Sequence, residues 1–130
     1  MLIPRGKQVG FDEGSALRVL LLEDEGGDAR LVEIALRKAV GSPEISHFVT
    51  VPAALEALTQ QAFDIVLTDL GIPGIEWRDL LTSILEHAGA PVVVLTGWND
   101  VDTASEAVRA GAQDYLVKGE FDPHQLEKTV

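Results

Sequence analysis

The sequence predicts an α/β domain built on a doubly wound, five-stranded parallel sheet with helices on both faces. Three observations carry that expectation. Five short apolar runs alternate along the chain with segments of helical periodicity. Runs such as VLLL, IVL and VVVL are apolar throughout, as strands covered on both faces are. Residues able to do chemistry gather where the runs stop, and in an open parallel sheet ligands collect at that carboxyl edge.

Residues 1–16 are polar, glycine-containing and aperiodic, and read as a flexible N-terminal tail; residues 17–130 form the domain. Arg18–Glu23 is the first strand. Asp28 is expected to cap a helix running through Val40, with Leu31, Ile34, Ala35 and Leu36 on its apolar stripe. Glu44–Val49 alternates only weakly and predicts a more exposed strand. Pro52 suits the first turn of a helix reaching Gln61, because proline has no N–H to lose there. Asp64–Thr68 is the third strand, followed by the loop LGIPG and a helix over Trp77–His87. Pro91–Thr96 is the fourth strand, Val101–Ala110 a helix stopped by Gly111, and Asp114–Val117 the fifth strand. Asp122 and Pro123 open a last helix that is short.

Composition narrows the function. At 130 residues and 46% hydrophobic content the chain suits one folded domain with a single core. A net charge of −11 argues against direct binding to nucleic acid or to an anionic membrane. With no cysteine, disulfides and thiolate nucleophiles drop out. The opening MLIPRGKQVG has no apolar stretch suited to a signal peptide, and no segment approaches a membrane span. A cytoplasmic location is expected.

The informative residues stand at the strand exits. Glu23 and Asp24 end the first run, Asp69 the third, Thr96 the fourth and Lys118 the fifth. Two carboxylates, a central aspartate, a hydroxyl and an amine, converging on one edge, make a phosphorylation site with a divalent-metal pocket. Each has a plainer reading alone: Asp69 as a loop starter, Thr96 as a strand end, Lys118 as a surface lysine, Glu23 to Glu25 as a solvated turn. Their order and strand context favour the site, and Glu25 is left to the solvated turn. His47, His87 and His124 lack ligand spacing and read as surface residues.

On those motifs, from about Leu17 to Val130, the chain resembles the receiver domain of bacterial two-component response regulators. LLLEDEGGDARL resembles the family's first strand and acidic loop, DIVLTDLGIPG its phosphoacceptor strand, and VVVLTG and GAQDYLVKG its hydroxyl and lysine signatures. The resemblance implies a flavodoxin-like fold with strand order 2-1-3-4-5. It also implies phosphoryl transfer to Asp69 from a histidine kinase or phosphotransfer protein, a changed affinity for a downstream protein partner or effector, and a homodimer through the fourth and fifth helices.

The chemistry follows from the residue types. A carboxylate is a weak nucleophile, yet held in line with a phosphoryl donor it forms an acyl phosphate. Mg²⁺, with Mn²⁺ as a substitute, would offset the crowded carboxylates and the charge on the phosphoryl group. Its expected ligands are Asp24, Asp69, the Gly71 backbone carbonyl and Glu23 through a water. Lys118 and Thr96 would each meet a phosphoryl oxygen, and Gly97 leaves room for the donor. Tyr115 stands where the family has a rotamer switch. The chain departs from the family pattern in three places: Gly119 replaces the usual proline after the lysine, Trp77 stands where glycine is common, and the last helix is short. The competing reading is a receiver-like protein-binding module regulated without phosphorylation. A Mg²⁺-dependent phosphohydrolase is more remote, since Gly71 offers no acid or base beside Asp69.

Overall fold

The computed structural model describes residues 16–118. Five strands alternate with helices in chain order: β1 (Arg18–Leu22), α1 (Gly26–Val40), β2 (Glu44–Phe48), α2 (Val51–Gln60), β3 (Ile65–Asp69), α3 (Trp77–His87), β4 (Val92–Thr96), α4 (Val101–Arg109) and β5 (Asp114–Val117). A single turn of 3₁₀ helix, Trp98–Asp100, leads into α4. All pairings are parallel and the order is β2-β1-β3-β4-β5, as the resemblance implied. Gly119 and the expected last helix from Asp122 lie outside the described residues, as does all but the end of the expected tail.

The alternation of side chains along each strand divides the core in two. Leu20, Leu22, Val66, Val92 and Val94 meet α2, α3 and α4 on one face, through Ala54, Leu80, Leu81, Ile84 and Ala104. Val19, Leu21, Ile65, Leu67, Val93, Leu95 and Leu116 point to the other face, where α1 supplies Ala29, Val32, Ala35 and Leu36. Burial on both faces is why these strands carry no polar alternation. The edge strands β2 and β5 are the exceptions and are partly exposed, β2 as its weaker pattern predicted.

Two expectations for α1 are corrected. The helix begins at Gly26, one turn early, and its N-cap is Glu25, whose Oε1 accepts from the Gly27 amide at 3.4 Å. Asp28 is therefore a first-turn residue rather than the cap, and Glu25 is not a plain solvated turn. The buried stripe is Ala29, Val32, Ala35 and Leu36, leaving Leu31 and Ile34 exposed. Those two are apolar and helically spaced, but they lie on the side of α1 turned from the sheet. Periodicity alone does not say which of two overlapping stripes the sheet will cover.

Gly111 closes α4 in a left-handed conformation, φ 131°, as its position predicted. A Cβ built there would fall 2.9 Å from Leu85 Cδ1. Backbone conformation thus favours glycine, and a Cβ there would also require the Leu85 side chain to shift. The chain then turns into β5, which brings Lys118 to the carboxyl edge.

Candidate functional site

The carboxyl edge gathers every strand-exit residue picked out in the sequence. Asp69 is the last residue of β3, half-buried, with Oδ1 accepting from the Gly71 amide at 3.0 Å. That bond turns the loop sharply behind the carboxylate. The other oxygen, Oδ2, accepts from Lys118 Nζ at 3.0 Å. Glu23 and Asp24 follow β1, and ligand oxygens of Glu23, Asp24 and Asp69 all lie within 4.8 Å of one another.

Glu23 is completely buried, and its surroundings account for its charge state. Burial, foremost, pushes its carboxyl up to about 7, and the neighbouring Asp69 charge adds to this. The Lys118 ammonium and the Glu25 amide, which donates to Oε2 at 3.2 Å, pull the other way. Oε1 lies 2.6 Å from Lys118 Nζ, an ion pair outside hydrogen-bond angles, so this oxygen has no hydrogen-bond partner. Three carboxylates whose ligand oxygens lie within 4.8 Å of one another suit a hard, oxygen-seeking cation. The residues present fit a divalent metal.

Lys118 sits among three carboxylates. Besides Glu23 and Asp69 it donates to Asp28 Oδ2 at 3.1 Å. Burial of the ammonium works against its charge, but the three acids outweigh that and raise its pKa above the ordinary lysine value. Its backbone amide donates to the Thr96 carbonyl at 2.7 Å, which ties the amine to the exit of β4. Thr96 is buried, and its hydroxyl donates to the Gly97 carbonyl at 3.1 Å. Tyr115 is half-buried on β5, in register with Val94 and packed on the face that holds α4. Among the described residues, a Cβ at Gly97 would meet nothing within 4 Å, so packing against them does not demand glycine there.

Beside Asp69 opens a cavity of about 190 Å³, walled by Trp77, Thr96, Asp100, Thr103 and Ala104 among others. Trp77, out of place against the family pattern, is accommodated here: its ring packs on the core, and the Arg78 guanidinium stacks over it at 4.3 Å. Arg78 also pairs with Glu106 on α4 at 3.1 Å, linking α3 to α4.

Two contacts were not anticipated. Asp28, expected as a cap, faces the site across 90 residues of sequence to Lys118. His47, expected as a surface residue, is exposed, yet its Nε2 donates to the Glu23 carbonyl at 2.8 Å. With the Phe48 carbonyl accepting from the Glu23 amide at 3.0 Å, β2 holds the Glu23 backbone at both polar groups. Neither contact had a legible signal; both depend on which elements become neighbours.

A doubly wound parallel sheet in the order β2-β1-β3-β4-β5 is the CheY-like, flavodoxin-like fold. The family model for the response regulator receiver domain matches residues 19–130, and the chain belongs to that family. It is 38% identical over 106 residues to the response regulator protein FleR of Pseudomonas aeruginosa, covering 79% of this chain and 22% of FleR. It is 33% identical to the response regulator protein PilR of the same organism, over 80% of this chain and 23% of PilR. The chain thus spans about a fifth of the length of these relatives. A response regulator receiver domain protein from Clostridium thermocellum shares the fold, with TM-score 0.72 at 24% identity over 87% of this chain and 90% of that one. The chain is a signalling domain of two-component systems.

Proposed function

We propose that this domain accepts a phosphoryl group on Asp69 and, so modified, changes its affinity for a downstream protein partner or effector. The observation that carries the reading is the placement of Lys118 Nζ at 3.0 Å from Asp69 Oδ2, with Glu23 and Asp24 oxygens grouped against the same carboxylate. One Asp69 oxygen attacks the phosphorus of a phosphohistidine on a histidine kinase or phosphotransfer protein. The P–N bond breaks as the O–P bond forms, and the imidazole leaves with the bonding pair. Lys118 and the Thr96 hydroxyl each donate to a phosphoryl oxygen. Water later attacks phosphorus and returns the Asp69 carboxylate and inorganic phosphate. Glu23, Asp24, Asp69 and the Gly71 carbonyl would hold Mg²⁺, which when bound neutralises charge on the transferred group.

The partners and setting proposed with this chemistry are a cytoplasmic location, a histidine kinase or phosphotransfer protein as donor, no direct nucleic-acid contact by this domain, and a homodimer involving α4 and the chain after β5. No helix among the described residues is long and apolar enough to cross a membrane. Tyr115 is proposed as the reporter that carries the modified state to α4.

Incubation with acetyl phosphate and Mg²⁺ tests the core of the reading. The intact protein should gain the mass of one phosphoryl group, and Asp69→Asn should fold and gain none. Phosphate appearing on another acid of that variant would remove Asp69 from the role.

A further inference from the structure

The Lys118 ammonium has three N–H donors, and three acids from three elements surround it. Two donors are committed, to Asp69 Oδ2 at 3.0 Å and Asp28 Oδ2 at 3.1 Å, and Glu23 Oε1 presses on it at 2.6 Å. Glu23 and Asp69 belong to the phosphoryl site. Asp28 has no such reason to be there. Glu25, not Asp28, caps α1, and Asp28 is not among the grouped oxygens suited to a metal.

We infer that Asp28 is a positioning residue for phosphoryl transfer: it holds the Lys118 ammonium at the mouth of the site and yields it when the phosphoryl group arrives. The inference rests on Asp69 being the phosphoacceptor. A phosphoryl oxygen needs a donor from Lys118, whose two hydrogen bonds go to Asp69 and Asp28 while Glu23 Oε1 closes on its remaining side at 2.6 Å. Glu23 is fully buried, so no water can take the place of the ammonium beside it. Withdrawing the ammonium from Asp28, whose side chain is 38% exposed, lets water take over the hydrogen bond. Of the two acids that do not themselves react, Asp28 is therefore the one that gives way.

Its charge has a second consequence. Asp28 and Asp69 flank the same nitrogen, so the Asp28 carboxylate attracts a dication bound at the site and repels a phosphoryl anion arriving there. Removing that charge without altering shape should move the two affinities in opposite directions. A merely structural role for Asp28, shaping the start of α1, would move both the same way.

The full chain with Asp28→Asn and with Asp28→Glu tests this. Mg²⁺ affinity is followed by tryptophan fluorescence, since Trp77 lines the cavity beside Asp69. The phosphorylation rate with acetyl phosphate is measured at saturating Mg²⁺, alongside beryllofluoride affinity. Asp28→Asn should weaken Mg²⁺ by about three- to tenfold while speeding phosphorylation and tightening beryllofluoride by a similar factor. Asp28→Glu, which keeps the charge and reaches the same nitrogen, should stay near the parent on all three. Parallel weakening in Asp28→Asn, or no change, overturns the role of Asp28 while a phosphorylating parent keeps Asp69 intact. A parent that takes no phosphate at all overturns the Asp69 reading instead, and the inference with it.

Discussion

Lys118 Nζ stands 2.6 Å from Glu23 Oε1, although the strands that deliver them, β5 and β1, are separated in the sheet by β4 and β3. Three inter-strand spacings of roughly 4.8 Å lie between those strands. The gap is closed by two long side chains reaching inward over the exits of β3 and β4, which places Asp69 beneath the ammonium. One ion pair thus fastens the two halves of the carboxyl edge and sets the charge of the site.

Removing the amine should expose that dependence. Lys118→Met keeps much of the stem's volume but leaves Glu23 buried without its cation. Loss of one partner of a buried pair costs about 3–5 kcal/mol when the other stays charged. At low pH Glu23 escapes the penalty by taking a proton. Urea unfolding should therefore show a larger loss at about pH 8 than at about pH 5; equal losses at both would mean that Glu23 is not the group left stranded.

The metal should compete with a proton for the same carboxylate. Glu23 is raised from 4.5 to about 7 in the fold, chiefly by burial. A folded pKa above the unfolded one gives stability that is complete below about 4.5 and lost as pH rises through about 7. Mg²⁺ replaces what deprotonation takes away. Its effect on the melting temperature should accordingly be small near about pH 5 and large near about pH 8. A pH-independent shift, or one that survives Asp24→Ala unchanged, places the ion elsewhere.

Thr96 is the expected link to Tyr115. Its hydroxyl rests on the Gly97 carbonyl at 3.1 Å and would exchange that acceptor for a phosphoryl oxygen. Movement of Thr96 then alters the packing beside β5, and the result is a population shift between existing states. Beryllofluoride should perturb amide resonances from Thr96 to Tyr115 in the parent. In Thr96→Ala the adduct should still form, with those distant shifts blunted. Shifts confined to the pocket in the parent would rule this route out.

Gly111 tests the scaffold. Gly111→Ala forces a left-handed residue to carry a Cβ 2.9 Å from Leu85 Cδ1. Backbone strain and the clash together should cost about 1–3 kcal/mol in thermal or urea unfolding. Parent-like stability would show that the turn into β5 relaxes freely.

Much of this protein was legible in the order of its residues. Strands buried on both faces need unbroken apolar runs, so β1, β3 and β4 announce themselves, and a parallel sheet brings their ends to one edge. Glu23, Asp24, Asp69, Thr96 and Lys118 each mark the stop of such a run, so the sequence itself brings them to one edge. Tertiary structure decided what depends on one element facing another. It chose Ala29 and Val32 over Leu31 and Ile34 for the buried stripe of α1, since several faces of that helix are apolar enough to serve. It turned Asp28 toward Lys118 and His47 toward Glu23, contacts that no local pattern encodes. Periodicity is a property of one element, whereas a hydrogen bond across 90 residues is a property of how the elements are assembled.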